Sequence, residues 1–239
     1  MKYNIISTGS TGNAVVINGN ILIDCGVPFR KLEPVVKDLK LVLLTHQHSD
    51  HFKPSTAAAL HRERPTLRFG CCEWMVKPML DAGVSKRLID VLAPDRCVAY
   101  RGLAKIMPAA LVHDVPNCGY RIWIGAESLF YATDTGTLDG ITAKGYDLYM
   151  VEANHTKEEL EARRAEKIAA GEFSYEVNAA RNHLSREQAI DWIYKNTGPN
   201  SKYIFLHQHV DREPKCEEVQ DVNGYDAGGK KMVTLDKKE

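Results

Sequence analysis

The pattern of apolar and polar positions predicts short strands alternating with helices along the first half of the chain. Apolar runs bounded by turn residues are typical of buried strands, and they occur at residues 3–7, 14–17, 21–24 and 39–44. Helical periodicity occurs at residues 28–38, 54–63 and 73–82. Pro54 suits a first helical turn, and Gly83 suits a helix end. This half is therefore predicted to be α/β.

The second half continues the alternation. Strands are predicted at residues 103–107, 110–112, 121–124, 128–132, 146–152 and 203–206. Helices are predicted at residues 156–170 and from a Ser185 cap through Trp192. We expect one domain over residues 1–239, with a charged helical insertion around 156–182 and a polar C-terminal segment around 213–239.

Composition and charge narrow the class of protein. A chain of 239 residues with 44% hydrophobic content suits one large globular domain. The 31 basic and 31 acidic residues cancel, so long nucleic acid is disfavoured as a partner. No signal peptide or membrane-spanning run is recognisable, and the six cysteines form no C-x-x-C pair. These features predict a cytoplasmic protein with reduced thiols that does not enter a membrane.

Candidate chemistry is concentrated in Thr45-His46-Gln47-His48-Ser49-Asp50-His51, directly after the apolar run 39–44. In extended backbone, side chains two residues apart point the same way, so His46 and His48 can bind one ion together. After a turn of the chain, Asp50 and His51 can face a second ion. Imidazole and carboxylate ligands favour zinc, with manganese or iron as alternatives.

The THQHSDH stretch resembles the signature of the metallo-β-lactamase-fold hydrolases. The opening S-T-G-S-T-G-N, residues 7–13, is similar to the start of a nuclease-like branch that includes the bacterial YycJ/WalJ proteins. This resemblance implies a four-layer αββα sandwich with two divalent metal ions, Zn²⁺ or alternatively Mn²⁺. Asp24 matches a family position that supports the metal ligands from behind.

The resemblance also implies the remaining ligands. His113, in H-D-V-P-N-C-G-Y, completes the imidazole set of the first metal, and Asp134, in A-T-D-T-G, bridges the two ions. Asp50, His51 and His207 hold the second ion with Asp134. His209, two residues beyond His207, either replaces it or contacts substrate.

Two further segments, E-A-N-H at 152–155 and N-H-L-S at 182–185, resemble the phosphodiesterase branch that contains RNase Z. There a glutamate orients a histidine that protonates the leaving oxygen. Glu152 and His183 take these roles here, and Asp50 is counted with them as catalytic. Ser185 and Asn154 are expected to contact substrate.

The resemblance leaves the substrate open. Compact phage-encoded anti-Pycsar enzymes share the opening motif and the N-H-L-S histidine, and they hydrolyse cyclic mononucleotides. Together with the balanced charge, this favours a small nucleotide substrate, a homodimer and, for a phage protein, the host cytoplasm. A DNA or RNA exonuclease of the YycJ/WalJ kind is the alternative. A metal-stabilised protein that binds nucleotides without cleaving them is a further alternative.

Overall fold

Two β-sheets face each other in the computed structural model, which describes residues 1–169, 181–208 and 220–221. The first sheet has six strands, and they lie side by side in chain order. They are β1 (Tyr3–Ser7), β2 (Ala14–Ile17), β3 (Ile21–Ile23), β4 (Leu41–Leu44), β5 (Arg68–Cys72) and β6 (Ile89–Leu92). Neighbours from β3 to β6 run parallel, whereas β2 is antiparallel to its neighbours β1 and β3.

The second sheet contains the later strands, with the last of them at one edge. They are β7 (Val98–Tyr100), β8 (Ala104–Leu111), β9 (Asn117–Ile124), β10 (Glu127–Ala132), β11 (Leu148–Glu152), β12 (Lys202–Leu206) and β13 (Gln220–Asp221). Neighbours from β10 to β12 run parallel. Their carboxyl ends therefore meet at one edge of the sheet, where Glu152 ends β11 and where Asp134 and His207 follow β10 and β12.

The described helices are α1 (Glu33–Val36), α2 (Pro54–Glu63), α3 (Val76–Asp81), α4 (Lys157–Ala169) and α5 (Arg186–Asn196). Helices α1, α2 and α3 pack on the outer face of the first sheet, and α5 packs on the outer face of the second. Short 3₁₀ turns span Phe29–Lys31, Glu73–Met75 and Lys86–Leu88. No helix in the described ranges is long and apolar enough to cross a membrane.

Strand alternation divides the apolar side chains among three cores. In β4, Leu41 and Leu43 pack between the sheets, while Val42 and Leu44 pack toward the helices of the first sheet. In β10, Leu129 and Tyr131 likewise face the first sheet, whereas Phe130 packs against Trp192 of α5. One core between the sheets and one beneath each helical layer confirm the predicted four-layer αββα sandwich.

Several predicted element bounds were wrong. Residues 103–107 and 110–112 form one strand, β8, because Pro108 lies beyond the stretch paired with β7 and so needs no amide donor there. The helix predicted at 28–38 is a 3₁₀ turn followed by the four-residue α1, and the helix predicted at 73–82 also begins as a 3₁₀ turn. Strands β5, β6, β7 and β13 were not predicted.

Both predicted peripheral segments are described only in part. In the charged segment around 156–182, α4 is described, but residues 170–180 lie outside the described residues. In the C-terminal segment around 213–239, only β13 is described, and it pairs with β12. The single-domain organisation stays a prediction.

Candidate metal centre and proton donor

Three imidazoles meet where β4 and β8 end. The ligand atoms of His46, His48 and His113 lie within 4.8 Å of one another. His113 Nδ1 is 3.1 Å from the Asn182 carbonyl oxygen, a contact that leaves Nε2 facing the other two rings. Asp114, half exposed at the mouth of this group, lies 3.1 Å from His113 Nε2 and 3.5 Å from His48 Nε2. We call these three histidines the first group.

A second group adjoins the first and combines carboxylates with imidazoles. Its members, whose ligand atoms also lie within 4.8 Å of one another, are Asp50, His51, Asp134 and His207. His51 Nε2 lies 2.9 Å from Asp134 Oδ2, and His207 Nε2 lies 3.4 Å from Asp50 Oδ2. The ring centroids of His46 and His51 are 4.2 Å apart, so the two groups share a boundary. Asp134 falls in the second group, and its bridging role stays a prediction.

Buried hydrogen bonds orient the ligands from behind. Parallel β3 and β4 place Asp24 beside Thr45, and Asp24 Oδ1 accepts a 2.9 Å hydrogen bond from the Thr45 amide. Asp24 Oδ2 lies 2.7 Å from His51 Nδ1, which directs Nε2 of that ring into the cluster. Asp24 adopts φ +60°, a backbone strain held in place by these contacts. Its predicted position behind the ligands agrees with this geometry.

The donor set fits divalent cations. Among the described residues, buried His46 Nε2 has no hydrogen-bond partner, and buried polar atoms rarely stay unpaired. This atom belongs to the first group. Imidazole together with carboxylate is a zinc-type donor set. A cation at the first group would give His46 Nε2 a partner, and a cation at the second group would balance its buried carboxylates.

Glu152 joins three loops at the edge of the second sheet. This fully buried carboxylate accepts hydrogen bonds through Oε1 from the Thr135 amide at 2.6 Å and the Leu184 amide at 3.1 Å. Its Oε2 lies 3.0 Å from His183 Nδ1. The His183 ring stacks on that of His207, with centroids 5.2 Å apart. Glu152 thus holds His183 against the second group, with Nδ1 engaged and Nε2 available.

The charges of the cluster are mutually dependent. Burial opposes the ionisation of Asp50 and Asp134, yet the neighbouring imidazoles hold the pKa of both carboxyls below its ordinary value. Burial also opposes protonation of His207, but the Asp134 charge and the hydrogen bond to Asp50 raise the pKa of this imidazole to about 10. Burial lowers the pKa of His46, which favours the neutral, metal-binding form.

The proton donor candidate has its own electrostatic partner. Burial opposes the charged form of His183, but the hydrogen bond and charge of Glu152 raise the pKa of the ring above its ordinary value. The Glu152 carboxyl, although burial opposes its ionisation, has its pKa lowered chiefly by the same hydrogen bond. This pair therefore favours a protonated His183 near neutral pH.

Two of the remaining predicted residues, Ser185 and Asn154, lie around this edge. Ser185 is 2% exposed and forms a capping box with Gln188 at the start of α5; its hydroxyl thus serves the helix, and substrate contact stays a prediction. Asn154 Nδ2 donates to the His207 carbonyl oxygen at 3.1 Å. His209 lies outside the described residues.

Sequence reasoning missed residues that contact the ligands. Asn117 Nδ2 donates to the carbonyl oxygens of Thr133, at 3.0 Å, and Asp134, at 2.7 Å. Asn13 and Thr8 contact the second group. Both residues lie in the S-T-G-S-T-G-N motif at residues 7–13. This motif was recognised from the sequence, but its contacts with the ligands are visible only in the fold.

Comparison with known proteins identifies a matching family and proteins of similar fold. Residues 19–208 match the family described as "Beta-lactamase superfamily domain". The exodeoxyribonuclease WalJ of Streptococcus pneumoniae is 24% identical over 91% of this chain and 84% of its own length. The metallo-β-lactamase-fold protein YhfI of Bacillus subtilis superposes with a TM-score of 0.66 at 17% identity, covering 87% of this chain and 86% of its own. Human tRNase Z, short form, gives 0.65 at 13% identity, covering 89% of this chain and 95% of its own.

Proposed function

Because the chain belongs to the β-lactamase superfamily domain family, we propose that it is a two-metal phosphodiesterase. The family match confirms the assignment to metallo-β-lactamase-fold hydrolases made from the sequence. The observation that carries the finer proposal is the Glu152–His183 pair at 3.0 Å, placed beside the second group. A thioester hydrolase expels a thiolate, which is a stable leaving group and has little need of this additional acid.

Each of the two ligand groups would bind one metal ion. His46, His48 and His113 would hold one divalent cation, and Asp50, His51 and His207 would hold the other, with Asp134 between them. Such ions, with Zn²⁺ as the first expectation, supply Lewis acidity toward phosphate oxygens and lower the pKa of a water molecule. The protein's own task is then to orient the ligands and protonate the leaving oxygen.

His183 is suited to that protonation. Glu152 accepts from Nδ1, so the proton on Nε2 is the one available to a leaving alkoxide. The carboxylate stabilises the charged ring before transfer and holds its orientation. Asp50, hydrogen-bonded to His207, serves the second group rather than the proton path.

Cyclic mononucleotides are the substrate class that we propose first. The 31 acidic and 31 basic residues balance, whereas polymer binding draws much of its affinity from basic residues at phosphates. Asp114, 49% exposed at the mouth of the first group, adds a charge that repels neighbouring phosphates of a strand. Such an activity would remove cyclic-nucleotide immune signals, as the anti-Pycsar enzymes do. We also propose a homodimer, testable by light scattering.

Exonucleolytic cleavage of DNA is the second candidate. It is supported by similarity to the exodeoxyribonuclease WalJ over 91% of this chain. The same acid and ligand groups would serve it, since both reactions cleave a phosphate ester bond to a nucleoside oxygen. The two candidates differ in substrate size, not in chemistry.

A product assay distinguishes them. Zinc- or manganese-loaded protein is incubated with cyclic UMP, CMP, AMP and GMP, and separately with single-stranded and duplex DNA and RNA. We expect linear mononucleotides from cyclic substrates and intact polymers, with turnover lost in His183→Ala. Mononucleotides from DNA with cyclic substrates intact would establish the exonuclease instead. Binding of cyclic nucleotides with no turnover would refute the enzyme and indicate a sequestering protein.

A further inference from the structure

The segment Thr8–Asn13, between β1 and β2, contacts the second group. We call it the N-terminal turn. Its Asn13 amide N–H donates to the Asp50 carbonyl oxygen at 2.6 Å, and the Gly26 amide donates to the Asn13 carbonyl oxygen at 3.0 Å. At Gly26, a Cβ would stand 1.8 Å from the Asp50 carbonyl oxygen. The turn therefore packs directly on the loop that carries Asp50 and His51.

The Asn13 side chain has only one orientation that satisfies its neighbours. Its Oδ1 accepts from the Gly9 amide at 2.9 Å, and its Nδ2 donates to the Gly9 carbonyl oxygen at 3.0 Å. Exchanging the two ends would set donor against donor and acceptor against acceptor. The turn thus fixes Nδ2 as the end directed at the ligands.

That fixed donor lies within the second group. Asn13 Nδ2 is 2.8 Å from His51 Nε2 and 3.4 Å from Asp50 Oδ2. When His51 Nε2 is engaged as a ligand, two acceptors on Asp50 remain near Asn13 Nδ2, the carbonyl oxygen at 3.2 Å and Oδ2 at 3.4 Å. Asn13 therefore holds Asp50 through its backbone amide and through its side chain.

The other end of the turn holds His207. Thr8 Oγ1 accepts from the His207 amide at 2.8 Å. His207 adopts φ +49°, a region that costs a non-glycine residue of order 1–3 kcal/mol and needs support from its surroundings. One six-residue turn thereby fixes ligands that are far apart in sequence.

The first group receives no such support. Among the described residues, no hydrogen bond joins the N-terminal turn to His46, His48 or His113. The polar partners of their side chains are Thr45, Asp114, Asn182 and one another, and the His48 carbonyl oxygen accepts from the His51 and Phe52 amides. The turn therefore acts on one half of the centre.

We propose that the N-terminal turn selectively sets the affinity of the second metal site, an inference that rests on the two-metal centre of the proposed function. Thr8 and Asn13 are positioning residues in this role. Outer contacts of metal ligands are typically worth about 10- to 100-fold in affinity. Losing either contact should therefore lower the affinity of the second ion by a factor in this range, while the first ion is unaffected.

The test measures zinc binding without any substrate. Wild-type protein, Thr8→Val and Asn13→Ala are equilibrated with buffered zinc, and bound metal is counted by mass spectrometry. Thr8→Ser, which keeps the hydroxyl, should restore wild-type binding. Asn196→Ala is the matched control, because Asn196 is a buried, hydrogen-bonded asparagine in α5, away from the ligands.

Combining variants assigns the effect to one site. In a His113→Ala background, Thr8→Val should weaken the remaining ion, whereas in a His207→Ala background it should change nothing. Equal weakening of both ions, or unchanged binding in both turn variants, would overturn the proposal. Thr8→Val is nearly isosteric, so it decides the question if Asn13→Ala does not fold. A protein without phosphodiesterase activity could still show the selective loss, so the two proposals fail independently.

Discussion

Replacing Glu152 by glutamine tests the proton-donor assignment most directly. In the wild-type protein, Glu152 Oε1 accepts hydrogen bonds from the Thr135 and Leu184 amides. The carbonyl oxygen of glutamine can accept the same two hydrogen bonds. Glutamine substitutes an NH₂ group for Oε2, 3.0 Å from His183 Nδ1. That group donates and cannot accept, so His183 loses both its acceptor and its counter-charge.

The structure sets the size of the effect. A buried hydrogen bond to a charged group is worth about 1.5–3 kcal/mol. If this stabilisation is lost from the proton donor, kcat should fall about 10- to 100-fold, since 1.36 kcal/mol corresponds to a factor of ten. Because Glu152 raises the pKa of the His183 ring, the loss of activity at alkaline pH should also begin at a lower pH in the variant.

The assay compares leaving groups. A diester with a poor alkoxide leaving group needs the acid, whereas a p-nitrophenyl diester leaves as a stable anion and needs it far less. Glu152→Gln should therefore lose kcat on the nucleotide substrate but little on the p-nitrophenyl substrate. Metal content is measured in parallel, since Glu152 Oε2 also lies 3.7 Å from His207 Nδ1.

Asp147→Asn provides a matched carboxylate-to-amide change. Asp147 precedes β11 at the end opposite Glu152, and its carboxylate accepts from the Ser128 amide and hydroxyl. The Asp147→Asn substitution should leave kcat on both diesters and the pH profile of activity unchanged. Equal losses on the two diesters in Glu152→Gln, with metal content intact, would refute the proton-transfer role.

Four further measurements probe the centre. His183→Ala should lower turnover on the nucleotide substrate by about 10²–10⁴-fold with two ions still bound; loss of metal would instead make His183 a ligand. Asp24→Asn should weaken zinc binding about 10- to 100-fold in equilibrium dialysis, through the lost contact with His51, and unchanged binding would contradict this role. Chelation should lower the melting temperature, and added zinc should restore it, because the ions bind the folded state; equal melting curves would argue against the centre. The depressed pKa values of Asp50 and Asp134 stabilise the fold fully above the ordinary carboxyl pKa near 4, and this stability is lost as pH falls toward their native values. Urea unfolding of the chelated protein between pH 2 and pH 6 measures that loss, which Asp50→Asn should reduce.

The features that could be predicted best from the sequence are those determined by neighbouring residues in the chain. His46, His48, Asp50 and His51 stand within six residues after an apolar run, so spacing alone grouped them. Two of the unpredicted strands lack such a signal: β7 has three residues, and β5 contains Gly70 and two cysteines in place of a branched apolar run. Their strand conformation comes from pairing with neighbours.

Contacts between residues far apart in sequence could not be predicted from local sequence patterns. Glu152 and His183 are 31 positions apart, and only the family resemblance paired them before the fold did. Asn13 and Thr8 lie in a turn of small residues, and their role depends on their contacts with Asp50 and His207. No local periodicity encodes a contact between Thr8 and a residue 199 positions later. The parallel strands of the second sheet bring Glu152 and His207 to the same edge, and the N-terminal turn then contacts His207.

The placement of His207 at the end of β12 also constrains how the centre is made during protein synthesis. The chain must be translated to residue 207 before the second group has its full set of side chains, whereas the three histidines of the first group are present by residue 113. A nascent chain or a premature-stop product that ends before β12 lacks the parallel neighbour of β11 as well as this ligand. Translation order therefore keeps an incomplete ribosomal product from carrying a full hydrolytic centre.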